Sequence, residues 1–228
     1  MNGGSFTNSI YAGIVKCRVV AAEMPKNLQI TGSTGIFPFP FFVFSFQTLP
    51  VQNNRHIVNI ALIGFMGTGK TSVGRLVAEQ LHFHYLDTDE MIQSATGKTI
   101  AEIFSNCGEP AFRSLEEKTV QELTTKTQTV ISAGGGLPVA PQNLASLKTH
   151  ALVVCLWASP AKIWERVRNQ THRPLLHDPD PQKKIRDLLA IREPFYKQAD
   201  ILLNTELRSL REVAQQVVHQ YRLEASSR

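Results

Sequence analysis

The residues best suited to chemistry are a lysine and a threonine at the end of a glycine-rich loop. The run Gly64-Phe65-Met66-Gly67-Thr68-Gly69-Lys70-Thr71 matches the pattern G-x-x-x-x-G-K-[ST], and it lies between the apolar run Ile57–Ile63 and an amphipathic segment. Glycines let the backbone curl so that successive N–H groups point at phosphate oxygens, and a helix N-terminus adds positive potential. The loop therefore predicts a binding site for a nucleoside triphosphate, formed by Gly67, Thr68, Gly69, Lys70, Thr71 and Ser72.

Two side chains of this loop have separate tasks. Lys70 is expected to reach the β- and γ-phosphates, and the Thr71 hydroxyl is expected to be a ligand of Mg²⁺. A turn that merely joins a strand to a helix needs neither group at those offsets. The loop leaves the phosphate acceptor open, since motor proteins, GTPases and small-molecule kinases all share it.

Two carboxylates, Asp87 and Asp89, follow the short apolar run Tyr85–Leu86. The two-residue period of a strand would point both side chains the same way, so we expect the pair to face the phosphates. One could assist the metal, and the other could accept a proton from an alcohol. Taken alone, the segment is also typical of a helix cap, with Thr88 or Asp89 capping a helix that begins near Glu90. The next strand ends in Ile131–Gly136 without a carboxylate, which disfavours GTPases and large ATPases.

Six motifs in register resemble those of the shikimate kinase family, and the resemblance extends from Ile57 to Tyr221. They are the loop Gly64–Thr71, Leu86–Asp89, Gly108-Glu109 with Phe112-Arg113 and Glu116, Gly134–Gly136, Arg173–Leu176, and Arg192–Tyr196. The resemblance implies an enzyme that transfers the γ-phosphate of ATP to the 3-hydroxyl of shikimate, with Mg²⁺ as cofactor, in the biosynthesis of aromatic amino acids.

The resemblance also implies an acceptor site. Arg113 and Arg192 match the family's carboxylate-binding residues, and a planar guanidinium suits a carboxylate better than an ammonium does. Glu116 lies three residues after Arg113 on a predicted helix, close enough to hold that guanidinium in one orientation. Asp89 matches the carboxylate that orients the hydroxyl or accepts its proton. Three glycines let the backbone come close to the acceptor: Gly134, Gly135 and Gly136.

Further residues are assigned to the nucleotide by the same resemblance. Asp87 matches a partner of Mg²⁺ that acts through water. Arg173 lies in residues 170–180, a polar stretch that resembles the family's mobile lid, whose closure would exclude water and bring a cation to the γ-phosphate. Arg166 falls where the family contacts adenine. The expected catalytic residues are therefore Lys70, Asp89 and Arg173.

Two other functions are alternatives. A different small-molecule kinase, such as a gluconate kinase, is disfavoured by the two arginines and the triple glycine. A catalytically silent nucleotide-binding module would usually lack the lysine, the metal-binding hydroxyl or an acidic group, and this chain retains all of them.

Short apolar runs alternate with longer amphipathic ones along the chain. We interpret these runs as strands and helices, and these elements must position the residues named above. The predicted strands are Ile57–Ile63, Tyr85–Leu86, Thr129–Ser132, Ala151–Trp157 and Ile201–Leu203. The predicted helices are Thr71–Leu81, Ala111–Thr124, Pro160–Arg168, Lys183–Tyr196 and Leu207–Tyr221. The order predicts a doubly wound α/β fold of the P-loop NTPase type, in which helices flank five parallel strands and the ligand lies at the carboxyl ends of the strands.

The composition argues against several classes of protein. The 228 residues carry a net charge of +5, of which residues 1–55 supply +3 and the rest +2. A nearly neutral domain gives no reason to expect a nucleic-acid partner. Three scattered cysteines suit a reducing compartment, so we expect a cytoplasmic protein without disulfides. We also expect a monomer.

Residues 1–55 differ in composition from the rest of the chain. Six phenylalanines crowd between residues 37 and 46, but the apolar run Ile36–Phe46 is shorter than the ~20 residues of a membrane-spanning helix and contains Pro38 and Pro40. We expect no membrane span there, and we interpret residues 1–55 as a poorly ordered extension or as the product of a start codon placed too far upstream. The folded domain is then residues 56–228, with its acceptor-binding part at about 88–124.

Replacing Lys70 by alanine tests the role of the loop. Lys70→Ala is expected to remove nearly all turnover, because the cation that reaches the transferred phosphate is lost, while the fold stays intact. Release of ADP measures the turnover, and circular dichroism measures the fold. Turnover like that of the unaltered protein would remove the loop from the mechanism.

Overall fold

The computed structural model describes residues 55–170 and 178–226. The expectations for residues 1–54, and for most of the lid including Arg173, lie outside the described residues.

Five parallel strands form one sheet in the order β2-β3-β1-β4-β5. They are β1 (Asn59–Ile63), β2 (His84–Asp87), β3 (Thr129–Ser132), β4 (Ala151–Trp157) and β5 (Ile201–Asn204). All residues of β1 and β3 are buried, as expected for strands that are covered on both faces. The predicted fold class, a five-stranded parallel sheet flanked by helices, is confirmed.

Seven α-helices flank this sheet within the described residues. They are α1 (Lys70–Leu81), α2 (Thr88–Thr96), α3 (Ile100–Leu123), α4 (Pro141–His150), α5 (Pro160–Val167), α6 (Pro181–Tyr196) and α7 (Leu210–Ser226), and a 3₁₀ turn spans Leu137–Val139. Among the described helices, none has both the length and the apolar character that crossing a membrane requires.

Alternate residues of β1 pack into two separate cores. Ile60 and Leu62 join a cluster with apolar residues of α1 and α7, whereas Ala61 and Ile63 join a cluster with residues of α3, α4, α5 and α6. A shift of one residue would exchange the two sets, so this packing specifies the register of the strand. Because all the strands are parallel, the residues that follow β1, β2 and β3 emerge at the same edge of the sheet.

The strand period that was expected to point Asp87 and Asp89 the same way does not apply, because the strand ends at Asp87. Asp87 is the last residue of β2 and also the N-cap of α2, where its side chain accepts hydrogen bonds from the backbone N–H groups of Asp89 at 3.0 Å and Glu90 at 3.5 Å. An N-cap aspartate accepts hydrogen bonds from the first backbone N–H groups of a helix, which have no partner within the helix. This favours a helix that begins at Thr88 over a strand that continues. A helix cap was therefore correctly expected in this segment, but the cap is Asp87 and not Thr88 or Asp89, and the helix begins at Thr88 and not near Glu90.

Two further departures concern helices. The analysis missed α4, whose buried apolar residues are only Leu144 and Leu147 among mostly polar neighbours. The helical segment before Gly108 was also not predicted. Element α3 consists of two helices joined across a kink at Gly108, where φ is 77° and ψ is 173°. The first begins at Ile100 behind a capping box of Thr99 and Glu102, and the predicted helix Ala111–Thr124 corresponds to the second.

Candidate active site

A cavity of about 670 Å³ opens at the carboxyl ends of the strands. The glycine-rich loop, the segments after β2 and β3, the end of α5 and the segment after β5 all contribute to its lining. Most residues of the predicted site take part: Gly67, Thr68, Gly69, Lys70, Thr71, Ser72, Asp87, Asp89, Gly134, Gly135 and Arg166. The fold thus brings together residues that are far apart in the chain.

Glycines of the loop have a left-handed backbone conformation, which other residues rarely adopt. The φ angle is 134° at Gly64 and 98° at Gly69. Gly69 is the N-cap of α1 and offers no side chain to its first N–H groups, which suits the binding of an anion there. Within the loop, the Thr68 hydroxyl donates to the carbonyl oxygen of Phe65 at 2.8 Å.

The ammonium group of Lys70 lies against this loop. Its Nζ donates to the carbonyl oxygens of Gly64 and Phe65, each at 2.9 Å. Hydrogen bonds between two charged groups are stronger than those to a neutral carbonyl. A phosphate in the cavity is therefore expected to attract this ammonium.

Three oxygen-bearing side chains that suit a metal also line the cavity, namely Thr71, Asp87 and Ser132. Asp87 and Ser132 are directly paired where β2 and β3 end, so the carboxylate that is missing from β3 is supplied by its neighbour. Mg²⁺ prefers oxygen ligands and is usually held by one or two carboxylates together with substrate phosphates. The donor set fits that ion, and within residues 55–170 and 178–226 no cluster of three His, Cys, Asp or Glu forms a separate metal site.

Three residues that are predicted to bind the phosphate acceptor pack against the triple glycine. A Cβ atom would lie 2.5 Å from Asp89 Oδ1 if placed on Gly134, 3.4 Å from Arg192 Nη1 if placed on Gly135, and 2.7 Å from Arg113 Nη1 if placed on Gly136. The expectation that these glycines make room for the acceptor itself stays a prediction, and Gly134 and Gly135 do line the cavity. The structure shows that the glycines also make room for the side chains expected to bind the acceptor.

Two carboxylates of its own helix hold Arg113. Nη1 donates to Glu116 at 2.6 Å, while Nε and Nη2 donate to Glu109 at 3.1 and 2.7 Å. Burial raises the pKa of Glu116, and the charge of Arg113 opposes that rise. Burial alone would lower the pKa of Arg113, but the hydrogen bonds to Glu116 and Glu109 outweigh it and raise the pKa. Arg113 therefore stays charged, and its remaining N–H groups can donate hydrogen bonds to a carboxylate of the phosphate acceptor.

Helix α6 connects the triple glycine to the loop. Arg192 and Tyr196 lie one helical turn apart, and the guanidinium carbon of Arg192 is 5.5 Å from the ring centroid of Phe65, within the range of a cation–π contact. The buried Tyr196 hydroxyl donates to the carbonyl oxygen of Gly135 at 2.6 Å. Burial raises the pKa of Tyr196 to about 12, so the group stays protonated at neutral pH and keeps this hydrogen bond.

Arg166 joins the loop to the segment after β5. Its guanidinium donates to the carbonyl oxygen of Gly67 at 3.2 Å and to Thr205, at 3.0 Å to the hydroxyl and 2.6 Å to the carbonyl oxygen. Leu210, which is 47% exposed, lines the same cavity. A planar guanidinium and an apolar side chain are both surfaces on which a nucleobase can stack.

Of the predicted residues, Arg113, Arg192 and Gly136 lie beside the cavity lining, and Arg173 is outside the described residues. The analysis missed Tyr196 and Thr88, although both stand inside motifs that it used. The Thr88 hydroxyl accepts a hydrogen bond from the N–H of Gly134 at 2.8 Å.

Comparison with known proteins identifies the family of this chain. The model of the shikimate kinase family matches residues 66–222. A shikimate kinase from Thermodesulfovibrio yellowstonii is 46% identical over 163 residues, which are 72% of this chain and 94% of the relative. The chain belongs to the shikimate kinase family.

Solved structures of the shikimate kinase family show the same fold. A shikimate kinase from Acinetobacter baumannii, in complex with shikimate, superposes with a TM-score of 0.70 at 38% identity, over 75% of this chain and 96% of that one. A shikimate kinase from Aquifex aeolicus superposes with a TM-score of 0.65 at 33% identity, over 75% of this chain and 99% of that one. These matches confirm the resemblance, whereas the roles of individual residues stay predictions.

Substitution of Gly136 tests whether the triple glycine makes room for Arg113. The backbone there has φ −95° and ψ −17°, which alanine adopts without strain, but its Cβ would displace the guanidinium. Gly136→Ala is expected to raise the KM for shikimate, the expected acceptor, by about 10- to 100-fold, because small misplacements of a binding group have effects of that size. The KM for ATP and the free energy of unfolding should change little.

Gly135→Ala is the matched control, since its Cβ would lie at the more tolerable 3.4 Å from Arg192. Its effect on the KM for shikimate should be smaller. Equal effects of the two variants, or an unchanged KM in Gly136→Ala, would contradict this account of the glycines.

Proposed function

We propose that this chain transfers the γ-phosphate of ATP to the 3-hydroxyl of shikimate, giving shikimate 3-phosphate and ADP. The observation that carries the proposal is the row of contacts along the triple glycine, with Asp89 at one end and Arg192 and Arg113 beyond it. This order of a carboxylate followed by two guanidinium groups suits a ring that carries hydroxyls on one side and a carboxylate on the other. Membership of the shikimate kinase family supports the same substrates.

The nucleotide would lie along the cavity from the loop to α7. Its phosphates would accept hydrogen bonds from the loop amides and from Lys70, at the positive end of α1. Its base would lie between the guanidinium plane of Arg166 and the exposed part of Leu210. Both side chains line the same cavity as the loop.

Thr71 and Asp87 would hold Mg²⁺, with Asp87 acting through water. When bound, the ion would neutralise part of the negative charge of the phosphates. Two hydrogen bonds hold the Asp87 carboxylate in place. Oδ1 accepts from the N–H of Asp89 in α2, and Oδ2 accepts from the Tyr85 hydroxyl.

The acceptor would be bound through its carboxylate. Arg113 presents a charged guanidinium that Glu116 and Glu109 hold in place, and Arg192 lies on the neighbouring glycine. Because both groups are held before the ligand arrives, little side-chain entropy would be lost on binding. Their position on the triple glycine, beside and not within the lining of the cavity around the glycine-rich loop, supports their assignment to the acceptor.

Asp89 would accept the proton of the reacting hydroxyl, or orient that hydroxyl toward the γ-phosphate. Its carboxylate lies against Gly134 and lines the same cavity as Lys70 and Thr71, so the hydroxyl and the phosphate would meet there. Lys70 would stabilise the charge that spreads over the transferred group. Arg173 would supply a second cation, by its resemblance to the lid arginine of the family.

An assay of acceptor specificity tests the proposed function. Release of ADP is measured with shikimate, with gluconate and without acceptor, and mass spectrometry identifies the product. We expect shikimate-dependent release of ADP, with kcat/KM for gluconate lower by about 100-fold or more, because its open chain cannot meet all three groups at once. Faster reaction with gluconate, or release of ADP that no acceptor increases, would contradict the proposal.

Asp89→Asn separates the two roles of that carboxylate. A general base typically contributes about 10²- to 10⁴-fold, so kcat at saturating shikimate and ATP is expected to fall by at least about 100-fold. Steady-state kinetics with both substrates varied gives kcat and KM separately. A change confined to the KM for shikimate would mean that Asp89 only positions the ring.

The partners that we propose are ATP and shikimate. A monomer in the cytoplasm stays a prediction.

A further inference from the structure

Tyr85, on the edge strand β2, packs its ring against α1. A Cβ on Gly74 would lie 2.7 Å from Tyr85 Cε2, so the ring occupies the space that a larger residue of α1 would need. On the same helix, the guanidinium carbon of Arg75 is 5.5 Å from the ring centroid of Tyr85. These contacts hold the ring in one place.

The hydroxyl of this ring reaches three groups of the proposed metal site. It donates to Asp87 Oδ2 at 3.3 Å, and it also interacts with the side chains of Ser132 and Thr71. Those three side chains line the cavity, whereas Tyr85 does not, so the hydroxyl approaches them from behind.

The chemistry of these groups sets the direction of the hydrogen bonds. A tyrosine hydroxyl has one proton to donate and lone pairs to accept, and an ionised carboxylate only accepts. The proton of Tyr85 therefore goes to Asp87, and its lone pairs can accept from Thr71 and Ser132. A Thr71 hydroxyl that donates its proton to Tyr85 keeps its own lone pairs for a cation in the cavity.

We propose that Tyr85 is a positioning residue for the Mg²⁺ that accompanies the nucleotide, acting through Asp87 and Thr71. The proposal rests on the proposed function, which assigns those two residues to the metal. Asp87 Oδ1 accepts a hydrogen bond from the N–H of Asp89 at 3.0 Å, and Oδ2 accepts one from the Tyr85 hydroxyl. Both carboxylate oxygens are therefore held in place. The expected effect is on the metal and not on the acceptor.

Tyr85→Phe keeps the ring and removes the hydroxyl. Calorimetric titration gives the Kd of ADP in the presence of Mg²⁺ and in the presence of EDTA, and the ratio of the two measures how much the metal strengthens binding. We expect this ratio to fall by about two- to tenfold, the range for loss of one side-chain hydrogen bond. The Kd in EDTA and the Kd of shikimate should match those of the unaltered protein.

Tyr221→Phe is the matched control. Tyr221 packs against the same apolar cluster as Tyr85, with its ring 5.5 Å from that of Phe83, and it does not line the cavity. Loss of its hydroxyl should leave the ratio unchanged. In an Asp87→Asn background, Tyr85→Phe should have a smaller effect, because one partner through which it acts is already altered.

An unchanged ratio in Tyr85→Phe would overturn the proposal. Equal losses of affinity with Mg²⁺ and with EDTA would also overturn it, since they indicate a general effect on the fold. Full additivity with Asp87→Asn would exclude action through that carboxylate. The titration contains no acceptor, so failure of the protein to phosphorylate shikimate would leave its outcome unaffected.

Discussion

The expected acceptor half of the site depends on the absence of side chains at Gly134 and Gly136, the outer two of three consecutive glycines after β3. A single Cβ atom on Gly134 or Gly136 would come within 2.5 or 2.7 Å of the charged group of Asp89 or Arg113. Real Cβ atoms do not approach other groups so closely in well-packed proteins, so the charged groups would have to move. The triple glycine is therefore a template that sets where the carboxylate and the guanidinium groups stand.

The same template connects the expected acceptor-binding groups to the glycine-rich loop. Gly135 is held through its carbonyl oxygen by Tyr196, and Arg192, one turn earlier on α6, lies over the ring of Phe65 in the glycine-rich loop. Gly134 is held through its N–H by Thr88 at the start of α2. The two substrates would therefore meet between elements that are linked by direct contacts, as transfer between closely positioned groups requires.

The fold and the phosphate loop could be predicted from the sequence, because apolar periodicity and the spacing of the loop report directly on strands, helices and phosphate binding. The acceptor-binding residues were expected from the resemblance to the shikimate kinase family, and their roles stay predictions. What could not be predicted were contacts that depend on tertiary packing. The period argument failed at Asp87, where a helix cap competed with the strand, and no local pattern showed that the Tyr85 hydroxyl would reach the same carboxylate. The role of the glycines was likewise visible only once Asp89 and Arg113 were placed.

A crystal structure of the protein with MgADP and shikimate tests the central claim most directly. The account predicts the shikimate carboxylate within about 3 Å of the guanidinium nitrogens of Arg113 and Arg192, and the 3-hydroxyl at a similar distance from Asp89, on the side that faces the β-phosphate of ADP. Shikimate bound away from the triple glycine, or bound with its carboxylate toward Asp89, would contradict it.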